Sequence, residues 1–137
     1  MAHWLFKSEP STWSWSQQLE AGDKGTFWNG VRNHLAKQQM MAMQLGERGF
    51  FYHSNEERAI VGIVEVIRTY YPDHTDPTGK FGMVDIKAVA ALPRPVTLAQ
   101  IKSEPRLADM SLVRNSRLSV QPVTDAEWDI VVALGGP

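Results

Sequence analysis

Between Trp28 and Asn33 the chain sets an indole, an amide, a glycine, a valine, a guanidinium and a second amide side by side. An indole offers a flat apolar face, while amide and guanidinium groups offer directional donors and acceptors. A planar ligand, stacked on its face and hydrogen-bonded along its edge, suits that mixture, and a nucleobase is such a ligand. Base–aromatic stacking is worth about 1–3 kcal/mol per base. Three other segments carry similar chemistry: Lys7-Ser8-Glu9-Pro10, Tyr52-His53-Ser54-Asn55 and Arg114-Asn115-Ser116-Arg117-Leu118-Ser119-Val120. Trp28 is expected to be the stacking wall, with Ser8, Asn29 and Asn33 suited to a base edge. Arg32, Lys37, Arg114 and Arg117 are suited to contacting phosphates or orienting loops. On residue type alone, Trp4 and Trp28 also fit an apolar core, with Arg32 then paired to Glu9.

Other chemistries find little support. The four histidines, at 3, 34, 53 and 74, form no His-x-x-x-His pair and have no carboxylate cluster beside them, so no metal is expected. Gly79-Lys80-Phe81-Gly82 is too short for a phosphate loop and reads as a surface hairpin, and no Gly-x-Ser-x-Gly elbow occurs. Tyr52-His53-Ser54 beside Glu9 or Arg32 resembles an acid–base set, but neighbouring strand residues point to opposite faces. His53 is therefore expected to be structural, with no catalytic residue and no cofactor.

A chain of 137 residues has the size of one domain, here taken as 1–137, and can bury a core without staples. With no cysteine, disulfides, thiolate zinc sites and a cysteine nucleophile drop out together. No apolar run approaches the roughly 20 residues of a membrane span, and the N-terminus lacks a signal layout, so a cytoplasmic protein is expected. A net charge of -1 argues against a coat protein that neutralises many phosphates. It leaves room for a reader that touches few phosphates and one base. Oligomeric state is left open.

The elements that must position these residues follow from the pattern. His3 to Lys7 alternates as a strand with Trp4 and Phe6 on one face, ended by Pro10. Capping-box spacings at Ser14/Gln17, Thr97/Gln100 and Thr124/Glu127 start three helices. Asn33 caps another, running to about Gln44 with Leu35, Met43 and Met40 or Met41 as its buried face. Gly49 to His53 and Ala59 to Arg68 read as strands joined by a polar hairpin, and Gly62 marks a bulge, a bend or a close approach. Tyr71 to Gly82 reads as a loop, and Met83 to Leu92 as a strand broken by Pro93 and Pro95. Arg106 to Leu112 allows another helical turn, and Arg117 to Val120 a short strand stopped by Pro122. The sum is an α+β domain of four or more antiparallel strands, curled towards a barrel, with short helices at its rim.

Taken together, the four segments resemble the EVE domain, of the PUA-like superfamily that also holds the YTH readers of methylated adenine. The resemblance spans nearly the whole chain, from Trp4-Leu5-Phe6-Lys7-Ser8-Glu9-Pro10 through Trp28-Asn29-Gly30-Val31-Arg32-Asn33 and Phe51-Tyr52-His53-Ser54-Asn55 to Arg117-Leu118-Ser119-Val120-Gln121-Pro122-Val123. It implies a PUA-like β-barrel of about five or six mainly antiparallel strands surrounded by short helices. It also implies a pocket that holds an extruded, modified base of DNA or RNA: methylated or hydroxymethylated cytosine, or methylated adenine. The residues implied are Lys7, Ser8, Trp28, Gly30, Val31, Arg32, Asn33, Tyr52, His53, Ser54, Arg117, Leu118 and Ser119; Lys37 and Arg114 are expected on phosphates from residue type alone. After Arg32-Asn33 the family commonly continues with Tyr, Gln, Ala and Arg; here His34-Leu35-Ala36-Lys37 follows. Two alternatives stand beside the reader: an enzyme on nucleic acid with His53 or His34 as general base, and a domain for nucleosides or other small ligands.

Overall fold

The computed structural model describes residues 1–55 and 57–136. Six strands form one mixed sheet: β1 (His3–Ser8), β2 (Thr26–Phe27), β3 (Arg48–His53), β4 (Ala59–Pro72), β5 (Gly82–Thr97) and β6 (Val120–Val123). Their spatial order is β2-β5-β4-β3-β1-β6, antiparallel throughout except for the parallel β1–β3 pair. This is the expected PUA-like arrangement of mainly antiparallel strands with short helices around them. The sheet stays open, because its end strands β2 and β6 are not paired with each other.

Strand alternation divides the core between the two faces. Trp4 and Phe6 of β1 and Phe51 of β3 join Trp28, Val31 and Leu118 in one apolar cluster. Leu5, Phe50 and Tyr52 point the other way, into a second cluster. The first face is covered by α1 (Trp15–Glu20) and α2 (His34–Ala42) through Trp15, Ala36 and Met40. The second is covered by α3 (Leu98–Ser103), α4 (Ser111–Arg114) and α5 (Asp125–Leu134) through Ile101, Leu112 and Val131. All three capping boxes form as spaced, at Ser14, Thr97 and Thr124. Asn33 caps α2 by accepting from the Ala36 amide at 3.0 Å.

Several elements differ from expectation. β5 runs straight through Pro93 and Pro95 to Thr97. The prolines are tolerated because the β4–β5 register slips between Ile60 and Gly62, leaving residues 92–95 without ladder partners. β4 continues past Arg68 to Pro72, so the loop shortens to residues 73–81. Pro122 lies inside β6 and not beyond it, on an edge strand where a missing N–H costs little. Residues 117–119 are irregular, and the strand begins at Val120. In α2 the buried positions are Ala36 and Met40, while Leu35 is 43% exposed and Met41 also faces outward. Gly62 shows both a bulge and a close approach. A Cβ there would lie 2.3 Å from the Trp15 indole, which rests on the strand at that point. Among the described residues no helix is long and apolar enough to cross a membrane.

Candidate functional site

Two chain segments meet at the end of β1 on the first face. One is the turn after β1, where Glu9 O accepts from the Thr12 and Trp13 amides at 2.9 Å. The other is the stretch leaving β2, held to β5 by the Trp28 amide donating to Val84 O at 2.8 Å. Between them lies a cavity of about 530 Å³, well within the size range of small-ligand sites. Its aromatic lining is Trp13, Phe27 and Trp28, and its polar lining includes Ser8, Glu9, Thr12, Asn29 and Ser119.

Each ring is held differently. Trp28 is 8% exposed and meets Phe6 and Phe51 edge-on, with centroids 5.4 and 5.8 Å away. It is at once core and cavity wall, so the two readings of this residue type merge. Trp13 is half-buried, its Nε1 donating at 2.9 Å to Oε1 of the fully buried Gln18. Phe27 is 44% exposed and stands edge-on to His74 at 4.8 Å.

The Trp28–Arg32 stretch is fixed from behind by Asp73. Asp73 is buried. Its Oδ2 accepts from the Gly30 amide at 2.8 Å and from Arg32 Nη1 at 3.1 Å. Its Oδ1 accepts from the Thr75 amide and hydroxyl at 2.7 and 2.6 Å. Gly30 turns its amide towards this carboxylate at φ +82°, a conformation that favours glycine. Burial alone would push the Asp73 carboxyl up; the bonds from Thr75, Gly30 and Arg32 outweigh it and hold the group at about 2. Asp76 organises the rest of the loop in the same way. The Thr78 hydroxyl chiefly, then the Phe81 and Thr78 amides, bring its carboxyl to about 2 against the opposing effect of burial.

The expected site residues divide into two groups. Lys7, Ser8, Trp28, Gly30, Val31, Arg32 and Ser119 line the cavity. Arg32 pairs with Asp73 and Thr75, not with Glu9 as the packing reading had it. The Ser8 hydroxyl donates to Trp13 O, and the Lys7 ammonium, lowered in pKa by burial, donates to Ser116 O. The remaining residues lie outside the cavity lining. Asn33 spends its side chain on the α2 cap. Tyr52 packs on the opposite face of the sheet. Leu118 belongs to the core behind the site. Ser54 donates its amide to Ser8 O at 2.8 Å, extending the β1–β3 pairing. Lys37 donates to Lys80 O at 2.6 Å beside the Phe81 ring. Arg114 pairs with Asp109 at 3.1 Å, and Arg117 is exposed.

His53 has both ring nitrogens engaged. Nε2 accepts from the Trp15 amide at 2.9 Å, which leaves Nδ1–H to donate to Glu57 at 2.7 Å. A nitrogen that caps a backbone amide is not free to accept a substrate proton, so the geometry is that of a strut. Among the described residues no group of three or more His, Asp or Glu is arranged to hold a metal ion.

Trp13 and Phe27 were not among the expected site residues. Trp13 sits in a polar run that reads as a helix entry, and Phe27 reads as a strand residue. The signal available was density: three of the five tryptophans fall within Trp13 to Trp28.

Comparison with known proteins identifies the family. The EVE domain profile matches residues 2–134. The chain is 61% identical to a Rhodopseudomonas palustris protein solved by NMR, with a TM-score of 0.94 over 99% of this chain and 94% of that one. It is 37% identical to human thymocyte nuclear protein 1 over 97% of this chain and 73% of that protein. The human THYN1 protein in complex with 5-methylcytosine-containing DNA superposes with a TM-score of 0.93 at 34% identity, covering 100% and 99% of the two chains. The YTH domain of Zygosaccharomyces rouxii MRB1, solved with N6-methyladenosine RNA, shares the fold at a TM-score of 0.57 and 17% identity over 98% and 86%. With the profile covering almost its full length, the chain belongs to the EVE domain family.

Proposed function

We propose that this protein is a non-enzymatic module that reads a modified base in nucleic acid, 5-methylcytosine in DNA being the first ligand to test. The observation that carries the reading is the cavity itself: about 530 Å³ walled by Trp13, Phe27 and Trp28 and edged by polar groups. A relative 34% identical to this chain over its whole length was solved with 5-methylcytosine-containing DNA, which supports the same class of ligand here. The base would be swung out of its stack into the cavity. That costs a few kcal/mol, which stacking on two or three aromatic rings offsets. A buried methyl group adds about 0.8 kcal/mol, roughly fourfold in affinity. The engagement of both His53 nitrogens supports binding over acid–base chemistry.

The test is binding to matched oligonucleotides, single- and double-stranded, DNA and RNA, each with one cytosine or adenine that is plain or methylated. All are compared at one salt concentration, because phosphate contacts make affinity salt-dependent. A preference for one modified base that is lost in Phe27→Ala supports the proposal. Equal, weak binding across the panel, with tight binding of a free nucleoside, would instead mark a small-ligand domain.

A further inference from the structure

The polar side chains lining the cavity are not equally available. The Lys7 ammonium is committed to Ser116 O, the Ser8 hydroxyl to Trp13 O, and the Arg32 guanidinium to Asp73, Thr75 and Val31 O. Glu9, Thr12, Asn29 and Ser119 line the same space, and among the described residues their side chains have no hydrogen-bond partner. Glu9 stands apart from the other three. A hydroxyl or an amide can turn to donate or accept, but an ionised carboxylate only accepts. Glu9 is also the only acidic residue in the lining, and no Lys, Arg or His pairs with it among the described residues.

An acceptor-only group at the edge of an aromatic slot favours a ring whose edge donates. Cytosine and adenine present an exocyclic amine, whereas thymine and uracil present a carbonyl oxygen in the corresponding place. We propose that the Glu9 carboxylate accepts a hydrogen bond from the exocyclic amine of the bound base, making Glu9 the residue by which the pocket takes amino bases and rejects oxo bases. This rests on the base-reading function proposed above and adds to it the class of base and the residue that selects it. A carboxylate would also repel the phosphates on either side, a cost that its partnership with the amine offsets.

The decisive pair of ligands is 5-methylcytosine and thymine. Both carry the same methyl group on the same ring, so their stacking and methyl burial match and only the edge differs. Single-stranded DNA oligonucleotides identical except for one central 5-methylcytosine, cytosine or thymine are titrated into the wild type and Glu9→Gln at one salt concentration. The wild type is expected to prefer 5-methylcytosine to thymine by about tenfold or more, the discrimination that one well-placed base-edge contact supplies. Glu9→Gln is expected to bring that ratio to within about threefold, since an amide can also donate to the thymine oxygen. Removing a negative charge raises affinity for all three oligonucleotides together and cancels in the ratio. The Glu9 side chain is exposed, so the melting temperature is expected to stay unchanged. A wild type that prefers both methylated pyrimidines to cytosine but does not separate them would overturn the role of Glu9 and leave the reader intact. So would a Glu9→Gln variant that keeps the full ratio. Weak, equal binding to all three would overturn both.

Discussion

Asp73 gives the sharpest stability test, because one carboxylate holds the cavity's back wall. Asp73→Asn keeps the shape and removes the charge, and it sets an amide among the Gly30 amide and Arg32 guanidinium donors. A fully enclosed carboxyl held at about 2 against an ordinary 3.8 contributes about 2 kcal/mol at neutral pH. The misplaced donors add to the loss, so the substitution is expected to cost about 2–3 kcal/mol and to lower the melting temperature by roughly 6–12 °C. The pH dependence follows in sign. The folded-state pKa lies below the unfolded one, so this stabilisation is complete above about pH 4 and is lost as pH falls from there towards 2. Urea unfolding of both proteins at steps from pH 7 to pH 2.5 reads this directly. The wild type should lose stability through that window, and the variant should start lower and lose less. It should retain only the acid sensitivity of the remaining carboxylates, Asp76 among them. An unchanged urea midpoint at pH 7, or an undiminished acid loss in the variant, would refute the claim that Asp73 anchors the site.

Four further outcomes are expected. Gly62→Ala should destabilise by about 1–3 kcal/mol, since the new methyl lands 2.3 Å from the Trp15 indole; denaturant midpoints at the wild-type value would show that Trp15 does not rest on β4. His53→Ala should cost about 1–3 kcal/mol by leaving the Trp15 amide without its acceptor, while base binding by the variant that remains folded should stay close to wild type in a direct titration. Phe27→Ala should weaken binding of the preferred oligonucleotide about five- to a hundredfold with little change in melting temperature, because the ring is already 44% exposed. Trp28→Ala is expected instead to unfold or strongly destabilise the chain, by about 3–5 kcal/mol, because Phe6 and Phe51 pack on that indole.

The elements that declare themselves through local chemistry were legible from sequence. Three capping boxes and the Asn33 cap need only residues three apart, and all four formed. Strand alternation put Trp4 and Phe6 on one face and Leu5 on the other. Where the outcome depends on distant partners, the sequence pattern misled. Pro93 and Pro95 looked like strand breakers, and only the slipped register against β4 makes room for them. The same limit governs the site. Trp28, Gly30 and Arg32 stood out through their own mixture of side chains, but Asp73 looked like one turn former among several. Nothing local says that a carboxylate in the loop after β4 will turn towards a glycine 43 residues earlier. Asn33 shows the converse: an amide that suits a base edge is also the ordinary way to start a helix, and here the helix takes it.

The five indole N–H groups make the central claim directly visible. Trp13 and Trp28 line the cavity, whereas Trp4 is tied to Glu47, Trp15 rests on Gly62 and Trp128 stacks on His3 and Phe50 across the sheet. At 15.4 kDa the protein suits nitrogen-15 correlation spectra. The measurement is a titration of the labelled protein with a single-stranded oligonucleotide carrying one 5-methylcytosine. If the cavity seats the base, the Trp13 and Trp28 indole signals shift with ligand while that of Trp128 stays in place. Shifts confined to Trp128 and its surroundings, or no indole shift at saturating oligonucleotide, would contradict it.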